Sequence, residues 1–305
     1  MQGNGSSPVI EKLEVLFLHI SDLHFRPDSN EPTARVAKLK EAVFAQFPFA
    51  SHCFLVVSGD VANTGAPEEY SVAAVFFNDL RTALLLGGLQ LVEIVSVPGN
   101  HDCNFRNQTD TRIFLLDDVR KYLQRPVDFS GSNFEAIIDI QADFFSFEAD
   151  ISKRALLPID QRLYYQRTFS VGHLTIAFHC FNTAWLSRKD DVQAQLYIPE
   201  TALKGTTRGN TDVSIAVFHH PYNWLNSENY RLLKTYVERE ADFVMTGHEH
   251  IAGGSRSESL EGGQLLYLEA PVFQSGDSDS SGLNRSPLQN SEKSRRSFNL
   301  TLYAQ

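Results

Sequence analysis

Five stretches of this sequence end an apolar run with residue types used in acid–base chemistry and metal ligation. They are SDLH with Asp22 and His24, GDVANTG with Asp60 and Asn63, and GNHD with Asn100, His101 and Asp102, followed by FHHP with His219 and His220 and GHEH with His248 and His250. Taken singly, each is an ordinary polar turn. All five in one chain, each at the end of an apolar run, call for a common destination. In an extended segment the side chains at i and i+2 share a side, so the spacing predicts that His248 and His250 aim at one point.

The elements that must position these residues can be read from periodicity. Buried-strand patterns run through EVLFLHI (14–20), CFLVVSGD (53–60), LVEIVSVPGNHD (91–102), VSIAVFHHP (213–221) and ADFVMTGHEH (241–250). Helical spacing separates them over 33–47, 67–86 and 229–240, with Pro67 opening the second and Gly87-Gly88 closing it. This alternation predicts an α/β fold with a sheet buried on both faces and ligands gathered at the carboxyl ends of the strands. Residues 103–165 break the rhythm and read as a Phe-rich helical insertion over the sheet edge near the site, within a single domain spanning 1–305. Residues 164–185 predict two strands around a Gly172-His173 turn, and 263–273 with 297–304 a final strand pair. The serine-rich, aperiodic stretch 274–296 reads as a polar loop. Its Arg285, Lys293, Arg295 and Arg296 are a candidate guide for a polyanionic substrate. Residues 1–10 read as a loose tail.

Composition narrows the classes. With 305 residues, 42% hydrophobic, the chain can bury a sizeable core, and a net charge of −10 lacks the basic footprint of a nucleic-acid binder. The three cysteines suit neither a zinc knuckle nor a disulfide framework. Cys53 and Cys180 read as inert core residues, and Cys103 as a packed or half-exposed thiol. No apolar run is long enough to span a membrane, and the first residues lack the pattern of a signal peptide, so a cytoplasmic protein without a membrane partner is expected.

The five blocks, in this order, resemble those of the calcineurin-like metallophosphoesterase superfamily (DxH, GDxxxxG, GNH[DE], a later His, GHxH), over roughly residues 14–270. The resemblance implies a four-layer α/β/β/α sandwich of two mixed sheets flanked by helices. It also implies two metal ions, with Asp22, His24 and His250 on one, Asn100, His219 and His248 on the other, and Asp60 between them. Carboxylate, carboxamide and imidazole together suit Mn, Fe, Zn or Co rather than Ca or a thiolate-selected ion. Two such ions, about 3.5–4 Å apart, share a bridging hydroxide and clamp phosphate oxygens. His101 would be the general acid, oriented by Asp102, with Asn63 and His220 supporting or lining the site.

GDVANTG and GNHD depart from the GDxVDRG and GNHE of Ser/Thr protein phosphatases. GNHD with HHP resembles instead the bacterial phosphodiesterases acting on cyclic nucleotides or small diesters. Tyr222 and Trp224, just after the histidines, are placed to stack on a base. The reading is a metal-dependent phosphodiesterase of a nucleotide-type diester. A DNA or RNA nuclease acting on oligonucleotides is the alternative within the superfamily, and a non-catalytic scaffold of the same fold the alternative outside enzymes.

Overall fold

The computed structural model describes residues 14–28, 31–123, 127–203, 209–250, 252–258, 264–273, 284–288 and 299–304. Strand β1 (Glu14–Ile20) is followed by α1 (Glu31–Gln46), β2 (His52–Val57), α2 (Pro67–Leu86) and β3 (Leu91–Ser96). Helices α3 (Asp110–Lys121), α4 (Ser132–Ile138) and α5 (Ala142–Ser152) come next, then the hairpin β4 (Tyr164–Val171) and β5 (Leu174–Phe181). The rest comprises α6 (Glu200–Leu203), β6 (Val213–Phe218), α7 (Ser227–Glu240) and strands β7 (Phe243–Thr246), β8 (Gly253–Glu258), β9 (Gln264–Glu269), β10 (Asn284–Leu288) and β11 (Asn299–Ala304).

The strands form two mixed sheets, ordered β10-β11-β1-β2-β3 and β4-β5-β6-β7-β9-β8. Helices flank them, as expected. The sheets meet face to face through rings. Phe54 on β2 stacks on Phe17 of β1 (5.5 Å) and meets Phe169 of β4 (5.0 Å) and Phe178 of β5 (5.3 Å). All four rings are buried. Their strand neighbours Leu16, Leu18 and Leu55 are equally buried, so β1 and β2 have no solvent face. That is why they read as continuous apolar runs rather than alternating ones.

The helical stretch after β3 packs against that strand and α2 through α5. Its attachment is polar as well as apolar. Arg81 reaches the Ile151 carbonyl, and Asn104 N–H donates to the Ile140 carbonyl at 2.7 Å. Arg112 is buried and donates to carbonyls of Ile137 (2.8 Å) and Ser187 (3.0 Å), pinning α3 to α4 and to the segment after β5.

Two expectations need correction. Residues 263–273 and 297–304 do not pair with each other. β9 runs parallel to β7 in one sheet, and β11 runs parallel to β1 in the other. The partner of β9 on its free side is β8, a Gly- and Ser-rich strand that carries no β-former signal. Nor is 274–296 one structureless loop, because Asn284–Leu288 lies antiparallel to β11 as an edge strand. Pro287 is tolerable there, since an edge strand can spare an N–H. The tail over 1–10 lies outside the described residues, as do Lys293, Arg295 and Arg296; of Arg285 only the strand backbone is described. Among the described residues no helix is long and apolar enough to cross a membrane.

Phe54→Ala should lower the unfolding free energy by about 3–5 kcal/mol, the cost of an emptied aromatic site in a core. Urea denaturation reads it out, and a loss under about 1 kcal/mol would mean that the sheets do not depend on this ring.

Candidate metal centre

The parallel pairing of β1 with β2 and of β2 with β3 brings three of the polar stretches level with one another. Past the last paired residues, Ile20↔Val57 and Val57↔Ser96, the backbones remain tied. Asp22 N–H donates to the Gly59 carbonyl at 3.1 Å and His24 N–H to the Asp60 carbonyl at 3.0 Å. From the other sheet, Gly247 N–H donates to the His219 carbonyl at 3.0 Å, joining the ends of β6 and β7. His248 N–H then crosses to Asp22 Oδ2 at 3.1 Å and ties the two sheets at the site.

The turns that make this convergence possible are strained. Seven described non-glycine residues have positive φ, and five of them are Asp22, His24, Asp60, His248 and His250. Left-handed backbone costs an L-residue roughly 1–2 kcal/mol, so its concentration here marks a site. It also corrects the extended reading of GHEH. With φ of 77° and 60°, His248 and His250 sit in a curled segment and diverge. His248 Nδ1 lies 3.2 Å from His219 Nε2, whereas His250 Nε2 lies 3.1 Å from Asp22 Oδ1. Gly59 has φ of 105°, and a Cβ there would sit 2.5 Å from the His219 ring. Only glycine fits.

Two donor sets result. In one, His219 Nε2 is 3.2 Å from Asn100 Oδ1, 3.2 Å from His248 Nδ1 and 3.3 Å from Asp60 Oδ2. Ligand nitrogens about 2.0–2.1 Å from a tetrahedral ion stand about 3.3 Å apart, so these separations fit one cation. In the other, His24 Nε2 is 3.9 Å from both Asp22 Oδ1 and Asp60 Oδ2, with His250 beyond Asp22. Asp22 Oδ1 is buried and receives no well-aligned hydrogen bond, although His250 Nε2 is so close. Convergence without hydrogen bonding is what lone pairs aimed at an ion look like.

The electrostatics agree. Asp22 and Asp60 are essentially inaccessible, and the ion-pair partners of both are histidines. Burial pushes the Asp60 carboxyl up, but the His219 and His24 imidazoles outweigh it and hold it well below the usual range. Burial likewise opposes ionisation of Asp22, and His250 and His219 hold it low. Burial would lower His219, yet Asp60 and Asp22 raise it to about 9. His248 is depressed to about 4 by burial and by His219. The pocket therefore favours positive charge, and His248, which stays neutral, keeps a bare ring nitrogen to receive it. His219 Nδ1 lies 2.8 Å from the Ser58 carbonyl, which fixes that N–H outward and leaves Nε2 free for an ion.

The other predicted residues are placed as follows. His101 is exposed beside His24, ring centroids 4.5 Å apart, and its Nδ1 lies 2.7 Å from the backbone carbonyl of Asn63. That carbonyl, not Asp102, orients it. Asp102 is buried and receives Val61 N–H (3.2 Å), Ala62 N–H (2.9 Å), Gly99 N–H (2.9 Å) and the Tyr70 hydroxyl (3.0 Å). It holds the Asp60 loop to the Asn100 loop and is a positioning residue. The Asn63 side chain accepts from Arg26 at 3.2 Å. Tyr222 packs among Phe218, Tyr230 and Tyr267 with a buried, unpartnered hydroxyl, so it does not line the site. Trp224 does, with its ring 4.2 Å from that of His248. Cys103 is buried, and burial pushes its thiol up to about 12.

Sequence reasoning misses Glu249 and Thr183. Glu249 Oε1 receives Trp224 Nε1–H at 2.7 Å and the Asn223 amide at 3.4 Å, linking the rim to the turn that carries both histidines. Its place between them in GHEH is a signal. Thr183, which contacts His220, has none.

The profile of the calcineurin-like phosphoesterase family matches residues 15–252. The chain belongs to that family. The metallophosphoesterase-like protein YydB of Bacillus subtilis (strain 168) is 25% identical over 251 residues, which cover 78% of this chain and 49% of that protein. The glycerophosphodiester phosphodiesterase GpdQ of Enterobacter lignolyticus (strain SCF1) is 38% identical over 97 residues, 29% of this chain and 30% of that one. The chain thus spans about half or less of the curated relatives it matches. A solved hypothetical protein of Thermus thermophilus is similar at a TM-score of 0.38 and 14% identity, covering 85% of this chain and 78% of that one.

Asp102→Ala should strand three N–H groups and a phenol at roughly 1–3 kcal/mol each, and so lower the unfolding free energy by at least roughly 4 kcal/mol. Chemical denaturation decides. Unchanged stability with a turnover defect alone would return Asp102 to the role of orienting His101.

Proposed function

We propose that this calcineurin-like phosphoesterase is a metal-dependent phosphodiesterase of small, nucleotide-type diesters that works with two cations. One observation carries the two-cation reading. Asp60 Oδ2 is reached from both donor sets, 3.3 Å from His219 Nε2 and 3.9 Å from His24 Nε2. Asp22, His24 and His250 would hold one cation, Asn100, His219 and His248 the other, with Asp60 common to both. Bound there, two cations would supply a water ionised near neutral pH and a clamp on phosphoryl oxygens.

The chain's own residues do the rest. His101, anchored through Nδ1 on the Asn63 carbonyl, keeps Nε2 to protonate the leaving oxygen. His24 beside it joins that acid to the donor set. Trp224 is the one aromatic of the predicted pair at the rim, so it would carry any stacking on a base. The diester preference draws on GNHD with HHP and on the partial match to a glycerophosphodiester phosphodiesterase. A nuclease would draw on the basic residues of 274–296, and no described contact favours it.

Chelation should abolish hydrolysis of an aryl phosphodiester, and Mn²⁺ should restore it. Asp60→Ala should lose metal as well as turnover, and two equivalents retained by elemental analysis would rule out the shared ligand. His101→Ala should keep both metals and lose turnover by roughly 10²–10⁴-fold, less for good leaving groups. Equal losses for nitrophenyl and alkyl leaving groups would remove His101 as the acid.

A further inference from the structure

Two side chains flank the donor sets from different sides. His101 stands beside His24, ring centroids 4.5 Å apart. The Trp224 ring meets that of His248 edge to face at 4.2 Å. The acid therefore borders the set of Asp22, His24 and His250, and the indole the set of Asn100, His219 and His248. A phosphodiester carries one leaving group and one retained group. With the leaving oxygen at His101, the retained group is turned toward the other donor set and meets the indole.

That indole is held in place by a charge. Glu249 Oε1 accepts its Nε1–H at 2.7 Å, the Asn223 amide at 3.4 Å and the Gln193 amide at 3.5 Å. All three donors are neutral, so they orient the carboxylate without cancelling its charge. Among the described residues no lysine or arginine pairs with it, and it belongs to none of the candidate ligand groups. Glu249 and Trp224 are both half-buried, so the charge stands at the mouth only partly screened.

From this geometry we infer that Glu249 and Trp224 are a specificity-determining pair that selects phosphodiesters over phosphomonoesters. The uncharged retained group of a diester packs on the indole. A monoester has an anionic oxygen in that place, and the Glu249 carboxylate repels it. A like charge set against the wrong ligand is an ordinary source of specificity. The inference rests on the function proposed above and adds which residues set the ester class.

Three measurements on the Mn²⁺-loaded protein test it. Glu249→Gln keeps an oxygen for the indole N–H and removes the charge. It should raise kcat/KM for nitrophenyl phosphate, a monoester. It should also lower the preference for methyl nitrophenyl phosphate, a diester, by roughly three- to fivefold, the scale of one exposed charge pair. A merely loosened rim would lower both rates and raise neither. Wild type should prefer phenyl over methyl nitrophenyl phosphate, which share a leaving group and differ in the retained one, and Trp224→Ala should erase that preference. Binding is read without turnover from tryptophan fluorescence, since the other tryptophan, Trp185, is fully buried. Glu249→Gln should tighten doubly charged phenylphosphonate relative to singly charged diphenylphosphinate. An unchanged ester ratio in folded Glu249→Gln, or a phenyl preference that survives in Trp224→Ala, would overturn the pair alone. Thermal unfolding verifies each fold, and should Trp224→Ala not fold, the Glu249→Gln ratio decides. Wild type that hydrolyses none of these esters with metal bound would overturn the proposed function, and this inference with it.

Discussion

Two ionised carboxylates sit side by side in the interior, and the rest of the molecule answers to them. Asp22 and Asp60 are inaccessible to water, and the charges nearest them belong to histidines. Desolvating an ion costs several kcal/mol even after relaxation, and imidazole offsets it only when protonated or when it shares a cation. The parallel register of β1 and β2 brings the carboxylates together, because past the last paired residues the backbones stay tied, Asp22 N–H to the Gly59 carbonyl and His24 N–H to the Asp60 carbonyl. The sheet interface of Phe17, Phe54, Phe169 and Phe178 in turn holds β6 and β7 where their imidazoles can reach across. Core packing and site chemistry are thus one problem. The rings set the distance between sheets, and that distance sets which donors converge.

Around the carboxylates, three of the six imidazoles are met from behind by a neutral oxygen. The carbonyls of Ser58 and Asn63 serve His219 and His101, and the Thr183 hydroxyl serves His220. None of these acceptors brings further charge into the pocket. The two carbonyls, which can only accept, settle tautomers without competing for the cation. Asp102 is a buried carboxylate of another sort, whose oxygens take N–H groups and a phenol and so weld two loops.

Much of this is legible from the residues. The apolar runs before SDLH, GDVANTG, GNHD, FHHP and GHEH are long and bounded by glycine, and all five do end at one edge of the molecule. What escapes does so for physical reasons. The Asn63 acceptor is a backbone carbonyl, a group every residue has, so no side chain announces it and Asp102 is the nearer suspect. GHEH reads as extended because spacing reports periodicity, whereas φ at His248 and His250 is imposed by contacts from both sheets. β8 is Gly- and Ser-rich and exists as a strand through pairing with β9, and β10 depends on β11 in the same way. Tyr222 and Trp224 look alike in sequence, yet the three-residue turn they share points one into the core and the other at His248.

The pairing of β1 with β11 has a consequence for biosynthesis. β1 carries Asp22 and His24 just past its end and lies in the middle of its sheet, yet one of its two neighbours is β11, distant in sequence, with Glu14 beside Asn299. As the polypeptide emerges, β2 can dock early, but the other edge of β1 stays open until β11 has been made. An apolar strand with an unpaired edge is a template for pairing with the wrong chain. The nascent protein must shield that edge until β11 emerges, and β1 is fully paired only then.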